Sequence, residues 1–259
     1  MRISVITNDQ PGTDTGSEHG FSCFIEFDHK RILFDTGQSN LFLINAGIIG
    51  LDISNPDAVI LSHGHFDHGN GLAYLSGGKL ICHPDCFVKR YRRNDLSYIG
   101  LNYTKKELSR KFNIIGSSDP CFVSDRIVFL GEIPRLTDFE SKTTTFVFGN
   151  NRPDFVKDDS ALALIHDEGI FIVTGCGHAG IVNTLEYAIK VTGAKSILGV
   201  IGGYHLKEYD LQTQETIKYL KKKSVKHVLP CHCTTGAALE AFRTMFLSPE
   251  VRSGSIFEL

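Results

Sequence analysis

Leu61-Ser62-His63-Gly64-His65-Phe66-Asp67-His68 places three imidazoles and a carboxylate within six positions, directly after the apolar run Ala58-Val59-Ile60-Leu61. A short continuous apolar run of this kind reads as a buried strand. The polar cluster then sits where the strand ends. As the chain passes from extended to turn, His63 and His65 point the same way, and Asp67 and His68 turn back around a second point. Burying several polar rings without partners is costly. A cluster this dense therefore reads as a ligand set and not as core histidines. Imidazole and carboxylate donors together suit zinc, iron or manganese.

Outward from this cluster the chain has two rhythms. Segments 21–27 and 31–34 flank Asp28-His29-Lys30 as a hairpin. Further strands are expected at 79–82, 127–130 and 145–148, and a second hairpin joins 161–165 to 170–174 through His166-Asp167-Glu168-Gly169. In the last third, predicted helices 181–191, 211–220 and 237–246 precede strands 196–201 and 227–229 and the segment 255–258. A meander followed by helix–strand alternation predicts an α/β (α+β) fold of two sheets with helices outside, not a doubly wound parallel sheet. With no repeat, low-complexity tract or long linker, residues 1–259 read as a single domain with a basic cap-like insertion around 85–115.

The chain has 259 residues, 42% of them hydrophobic and 22% charged. These values exclude wholesale disorder, collagen-like repeats and a coiled coil, and the length suffices for a full core. A net charge of −2 gives no whole-protein basic field for nucleic acid. No apolar run approaches the roughly 20 residues needed to cross a bilayer. Residues 1–7 read as a first strand and not a signal peptide, so a cytoplasmic location without a membrane partner is expected. Seven cysteines, an odd number, read as free thiols or metal ligands. Between 89 and 111 stand eight basic residues, Arg92 and Arg93 among them, and only two acids. This stretch is either a solvated surface or a cap that recognises an anionic substrate. Lys221-Lys222-Lys223 complements the dipole of a helix end.

The string His63-Gly64-His65-Phe66-Asp67-His68 resembles the His-x-His-x-Asp-His motif of the metallo-β-lactamase superfamily. Phe34-Asp35-Thr36-Gly37 resembles its first motif, whose aspartate supports the site. A longer series is similar to a narrower branch, the metal-dependent hydrolases of β-lactamase superfamily II. It includes Glu18-His19-Gly20-Phe21-Ser22, Gly131-Glu132-Ile133-Pro134-Arg135, Thr174-Gly175-Cys176-Gly177-His178-Ala179-Gly180, Gly202-Gly203-Tyr204-His205 and Pro230-Cys231-His232-Cys233-Thr234. That branch includes a dihydropterin–ribofuranosylaminobenzene-phosphate synthase.

The resemblance implies a four-layer αββα sandwich with two divalent metal ions at one sheet edge, zinc first, with manganese or iron also compatible. It assigns His178 to the site of His63 and His65, and His232 to the site of Asp67 and His68, with Asp35 behind them. Many members place a bridging aspartate after the strand found here at 170–174, where this chain has Gly175-Cys176. Three readings stay open: Cys176 as a thiolate ligand, a bridge of water alone, or Asp158 or Asp159 entering from elsewhere. Cys231 and Cys233 read as core thiols or thiols behind the ligands.

The implied activity is that of a metal-dependent hydrolase activating water against a small anionic ester, a phosphodiester first. Asp67 would ligate metal and orient the water. His205, after the Gly202-Gly203 turn, would donate a proton to the leaving group or bind a substrate oxygen. His19, Arg92, Arg93 and Arg135 are candidate substrate contacts, with Glu132 and Glu140 beside them. The first alternative is a transferase resembling the pterin synthase. A non-hydrolytic redox module is the next, and it would need a flavin domain for which the chain has no length. A nucleic-acid substrate is not expected, and a homo-oligomer is compatible with the sequence.

Overall fold

Successive residues of one strand go to different layers, and this alternation builds the architecture. The computed structural model describes residues 1–259. The first half contains β1 (Arg2–Thr7), β2 (Ser22–Phe27), β3 (Lys30–Phe34), α1 (Leu41–Ile48), β4 (Ala58–Leu61), α2 (Phe66–Gly69), β5 (Gly78–Cys82), β6 (Arg90–Arg92), α3 (Lys105–Leu108), β7 (Phe112–Gly116), β8 (Cys121–Ser124) and β9 (Ile127–Phe129). The second contains β10 (Phe146–Phe148), β11 (Ala161–His166), β12 (Gly169–Thr174), α4 (Ile181–Thr192), β13 (Ile197–Gly202), α5 (Leu211–Lys222), β14 (His227–Pro230), α6 (Gly236–Phe246) and β15 (Ile256–Glu258).

A seven-stranded sheet runs β15-β1-β2-β3-β4-β5-β7, and a six-stranded sheet runs β14-β13-β12-β11-β9-β8. Ile3, Val5, Ile32, Phe34 and Ile60 of the first sheet meet Leu162, Leu164, Phe171 and Val173 of the second in one buried core. Their neighbours face outward. Leu33, Val59 and Leu61 join Phe42 and Ala46 of α1, while Ala161, Ala163, Ile170 and Ile172 join Leu185, Ile217 and Phe242 of α4, α5 and α6. The result is helix, sheet, sheet, helix: the expected αββα sandwich. No helix is long and apolar enough to cross a membrane.

Strands β1 and β3 run the same way, each antiparallel to β2, and β4 is parallel to β3. In the second sheet β12, β13 and β14 are mutually parallel. Their carboxyl ends launch Asp9, Asp35, His63, Cys176, His205 and His232. In open α/β sheets, sites form outside the carboxyl ends of strands.

The structure departs from the sequence reading in two places. Helix α1 has no counterpart in that reading, because Leu41-Phe42-Leu43-Ile44 carries no polar face to reveal a helical period. The expected insertion at 85–115 is broken up: β7 belongs to the seven-stranded sheet, paired parallel with β5. Only β6 leaves the sandwich, forming a two-stranded ribbon with β10.

Candidate metal centre

The loop after β4 carries the first candidate ligands. A side chain at Gly64 would strike the Cys86 carbonyl oxygen, so glycine alone lets this loop lie against the turn at 84–87. His65 then caps the single turn of α2 in extended backbone, and that turn carries Asp67 and His68.

Two ligand groups result. In the first, the candidate ligand atoms of His63, His65 and His178 lie within 4.8 Å of one another. His63 Nε2 and His65 Nδ1 are 2.9 Å apart. His65 Nε2 and His178 Nε2 are buried without a hydrogen-bond partner. Burial pushes all three imidazoles well below their ordinary pKa, which keeps them neutral. Orphaned ring nitrogens on neutral, buried imidazoles fit a cation, which satisfies them without a proton.

In the second group, Asp67 Oδ2 lies 3.6 Å from His68 Nε2 and 3.5 Å from His232 Nε2. Those two nitrogens are 3.1 Å apart. Against its burial, the His68 and His232 rings hold the Asp67 carboxyl well below the usual range. Burial opposes a proton on His232, but hydrogen bonds to Asp67 and Asp9 raise its pKa well above the ordinary value. This half of the site favours positive charge.

Cys176 joins the halves. Its Sγ lies 3.2 Å from His68 Nε2, and it also groups with His63 and His68 at ligand distance. Burial pushes its thiol well above the ordinary value; coordination to a cation is what deprotonates such a thiol. Cys233 closes a third cluster with Cys176 and His232. Despite burial, the neighbouring Cys176 and His232 hold the Cys233 thiol below its ordinary value.

Behind the rings stand carboxylates. Asp35 Oδ2 is 2.7 Å from His68 Nδ1, and Asp35 also accepts the Ser62 N–H and hydroxyl, each at 2.7 Å. Ser62 Oγ in turn lies 2.9 Å from His63 Nδ1. Asp9 Oδ1 lies 2.6 Å from His232 Nδ1, and its other oxygen 2.9 Å from His19 Nδ1. His19 Nε2 is 3.2 Å from Asp67 Oδ2. Asp9 escaped the sequence reading because Asn8-Asp9-Gln10 belongs to no recognisable ligand pattern.

Above the two groups opens a cleft of about 680 Å³. Arg92, Arg93 and Lys207 line it, together with His19, His205 and Phe146. Phe146, on β10, stands edge-on to His65 with ring centroids 4.9 Å apart. Burial lowers the pKa of His205, which stacks near His178 at 4.4 Å between ring centroids.

Several expected residues lie elsewhere. Arg135 does not line the cleft; its guanidinium donates to the loop carbonyls of Ile133, Phe155 and Val156. Glu140 is fully buried under α4, accepting the Val182 and Asn183 N–H groups. A side chain at Gly180, where φ is +98°, would collide with that carboxyl. Glu132 faces Lys157 at the surface, 4.0 Å away. Asp158 and Asp159 do not enter between the ligand groups; both accept backbone N–H groups. Of the basic stretch, only Arg92 and Arg93 face the cleft. Arg90 is buried and paired with Asp154 and Asp158.

Known proteins are similar to this chain in sequence and in structure. The profile of the metallo-β-lactamase superfamily matches residues 16–79. A protein of Methanocaldococcus jannaschii named 7,8-dihydropterin-6-methyl-4-(β-D-ribofuranosyl)-aminobenzene-5′-phosphate synthase is 33% identical over 269 residues, 95% of this chain and 92% of that one. An uncharacterized protein of the same organism is 36% identical over 231 residues, 86% of each chain. A crystal structure described as a metal-dependent hydrolase of the β-lactamase superfamily superposes with a TM-score of 0.89 at 31% identity, over 100% of this chain and 99% of the other. With the sandwich, the strand-end ligand loops and these relatives in agreement, the chain belongs to the metallo-β-lactamase superfamily.

Proposed function

We propose that the chain is a metal-dependent hydrolase with a dinuclear centre, acting on a small anionic ester, a phosphodiester first. The observation that carries this reading is the pair of adjoining ligand groups beneath a cleft whose walls bring Arg92, Arg93 and Lys207. His63, His65 and His178 would hold one divalent cation, and Asp67, His68 and His232 the other, with Cys176 reaching both groups. Zinc is the first candidate by donor chemistry, with manganese and iron next. Bound there, the cations supply Lewis acidity and a nucleophilic water at neutral pH.

The chain's own residues supply the rest. The ionised Asp67 carboxylate would orient a water at the site, and His19, whose hydrogen bond to Asp9 favours its protonated form, steadies that carboxylate from 3.2 Å away. His205, kept neutral by burial, offers a ring N–H to a substrate oxygen. Arg92 and Arg93 from the ribbon, together with Lys207 from the loop after β13, hold the phosphate. Phe146 narrows the cleft over His65 and excludes bulk water.

Metal-loaded protein is to be screened against phosphodiester, lactone and thioester substrates. Metal-dependent turnover of a phosphodiester is expected, lost on chelation. No turnover of any substrate at intact metal content overturns the reading. The full-length similarity to the pterin synthase favours a second reading, group transfer with the arginines gripping phosphate. Incubation with hydroxymethyl-dihydropterin diphosphate and the ribofuranosyl aniline phosphate decides it, and failure to bind either removes it.

A further inference from the structure

We infer that Asp158 and Asp159 are positioning residues for the three-histidine group, each fixing one of its two ligand loops through a backbone N–H. The inference rests on the dinuclear reading above and concerns two residues to which that reading gives no part. Asp158 Oδ2 accepts the Gly64 N–H at 2.7 Å, the amide between His63 and His65. Asp159 Oδ2 accepts the Ala179 N–H at 2.8 Å, the amide that follows His178. Ser160 N–H donates to the Ser62 carbonyl at 3.0 Å. Three consecutive residues thus fasten both loops. They open directly into β11, which is paired on one edge with β9 and on the other with β12. The anchor is the stiff middle of a sheet.

Stability alone does not account for these groups. Both carboxylates are completely buried, and an adjacent pair of buried acids is costly. Asp158 has one charged partner, the buried Arg90, at 2.7 Å. Asp159 makes its one bond to Ala179, and its other oxygen has no partner. The ligand rings explain what the cost secures. Neither His65 nor His178 has a carboxylate or carbonyl hydrogen-bonded to its ring, so beyond ring-to-ring packing the placement of both rings rests on their backbones. Loops that must hold rings to a fraction of an ångström need such support.

The test is cobalt and zinc binding by the full chain in a His232→Ala, Cys176→Ser background, where the three-histidine group is the one described set that keeps all its members. Cobalt binding is read by visible absorption and zinc by calorimetry. Asp159→Ala is expected to weaken both metals about 10- to 100-fold. Asp159→Asn keeps the acceptor for Ala179 and is expected to stay within roughly threefold of the parent. Parent-like affinity in Asp159→Ala overturns the inference, as does equal weakness in both variants. If Asp159→Ala does not fold, Asp158→Asn decides. It keeps the Gly64 acceptor and removes the Arg90 charge partner, so parent-like cobalt affinity supports the backbone account and a loss of affinity overturns it. A parent that binds neither metal instead overturns the dinuclear reading itself, an outcome distinct from these.

Discussion

The two ligand groups share one floor but are held by different means. In the Asp67–His68–His232 group, each ring has a carboxylate on its far nitrogen: Asp35 on His68 and Asp9 on His232. Such a partner fixes the tautomer and makes the ring a stronger donor. In the His63–His65–His178 group only His63 has a ring partner, the hydroxyl of Ser62. Burial there sets the protonation state, and the Asp158–Asp159 clamps set the backbone. One half is tuned through its rings and the other through its loops. A variant that removes a ring-holding carboxylate should therefore strike one half selectively, unless that carboxylate serves both.

The largest expected effect erases the contrast. His63→Ala should remove metal from the three-histidine group and reduce turnover to background, read by elemental analysis and by hydrolysis assay. Survival of both sinks the ligand assignment. Next comes Asp35, which touches both halves through His68 and through Ser62. Asp35→Ala should weaken two metal equivalents, each about 10- to 100-fold, in competition with a chromophoric chelator. A response in only one equivalent would confine Asp35 to His68. Asp9→Asn should weaken a single equivalent by about 10-fold, since Asp9 reaches His232 and no ring of the other group. Smaller again, Cys176→Ser should retain both equivalents but abolish the sulfur-to-cobalt absorption of the cobalt protein. If the parent lacks that absorption, Cys176 is not a ligand.

The smallest effect lies outside both groups. Burial pushes the Glu140 pKa up to about 7, against the pull of the Val182 and Asn183 N–H groups. The folded state thus binds a proton that the unfolded chain releases near 4.5. The stabilisation is complete below that lower value and is lost as pH rises through 7. Glu140→Gln should flatten the pH dependence of the unfolding midpoint between these limits and leave metal binding unchanged.

Much of this was legible in advance because it is local. His63, His65, Asp67 and His68 lie within six positions, and their density marks them as a candidate ligand set without any fold. The helices α4, α5 and α6 have clear apolar faces, and their ends fell within two residues of expectation. What stayed hidden is either unpatterned or long-range. Helix α1 lacks a polar face, and Asp9 becomes meaningful only when His232 folds onto it. Arg135 and Glu140 show the opposite failure. Their charges suggested a substrate pocket, but loop carbonyls and a helix N-terminus claimed them. Arg92 and Arg93 reach the cleft because β6 leaves the sandwich to pair with β10, a topology that no local pattern encodes.

The His68–His232 contact spans 164 positions of the chain, and the His232 N–H donates to Asn8 near the opposite end. The three-histidine group, by contrast, is complete once residue 178 is in place. Contacts this distant form late, because closing long loops precedes their reward. In chain order, the residues of the half held by its loops are all present by position 178, whereas the half held by its rings must wait for β14. On the proposed dinuclear reading, a chain arrested before β14 would carry the residues of one coordination pocket and not two.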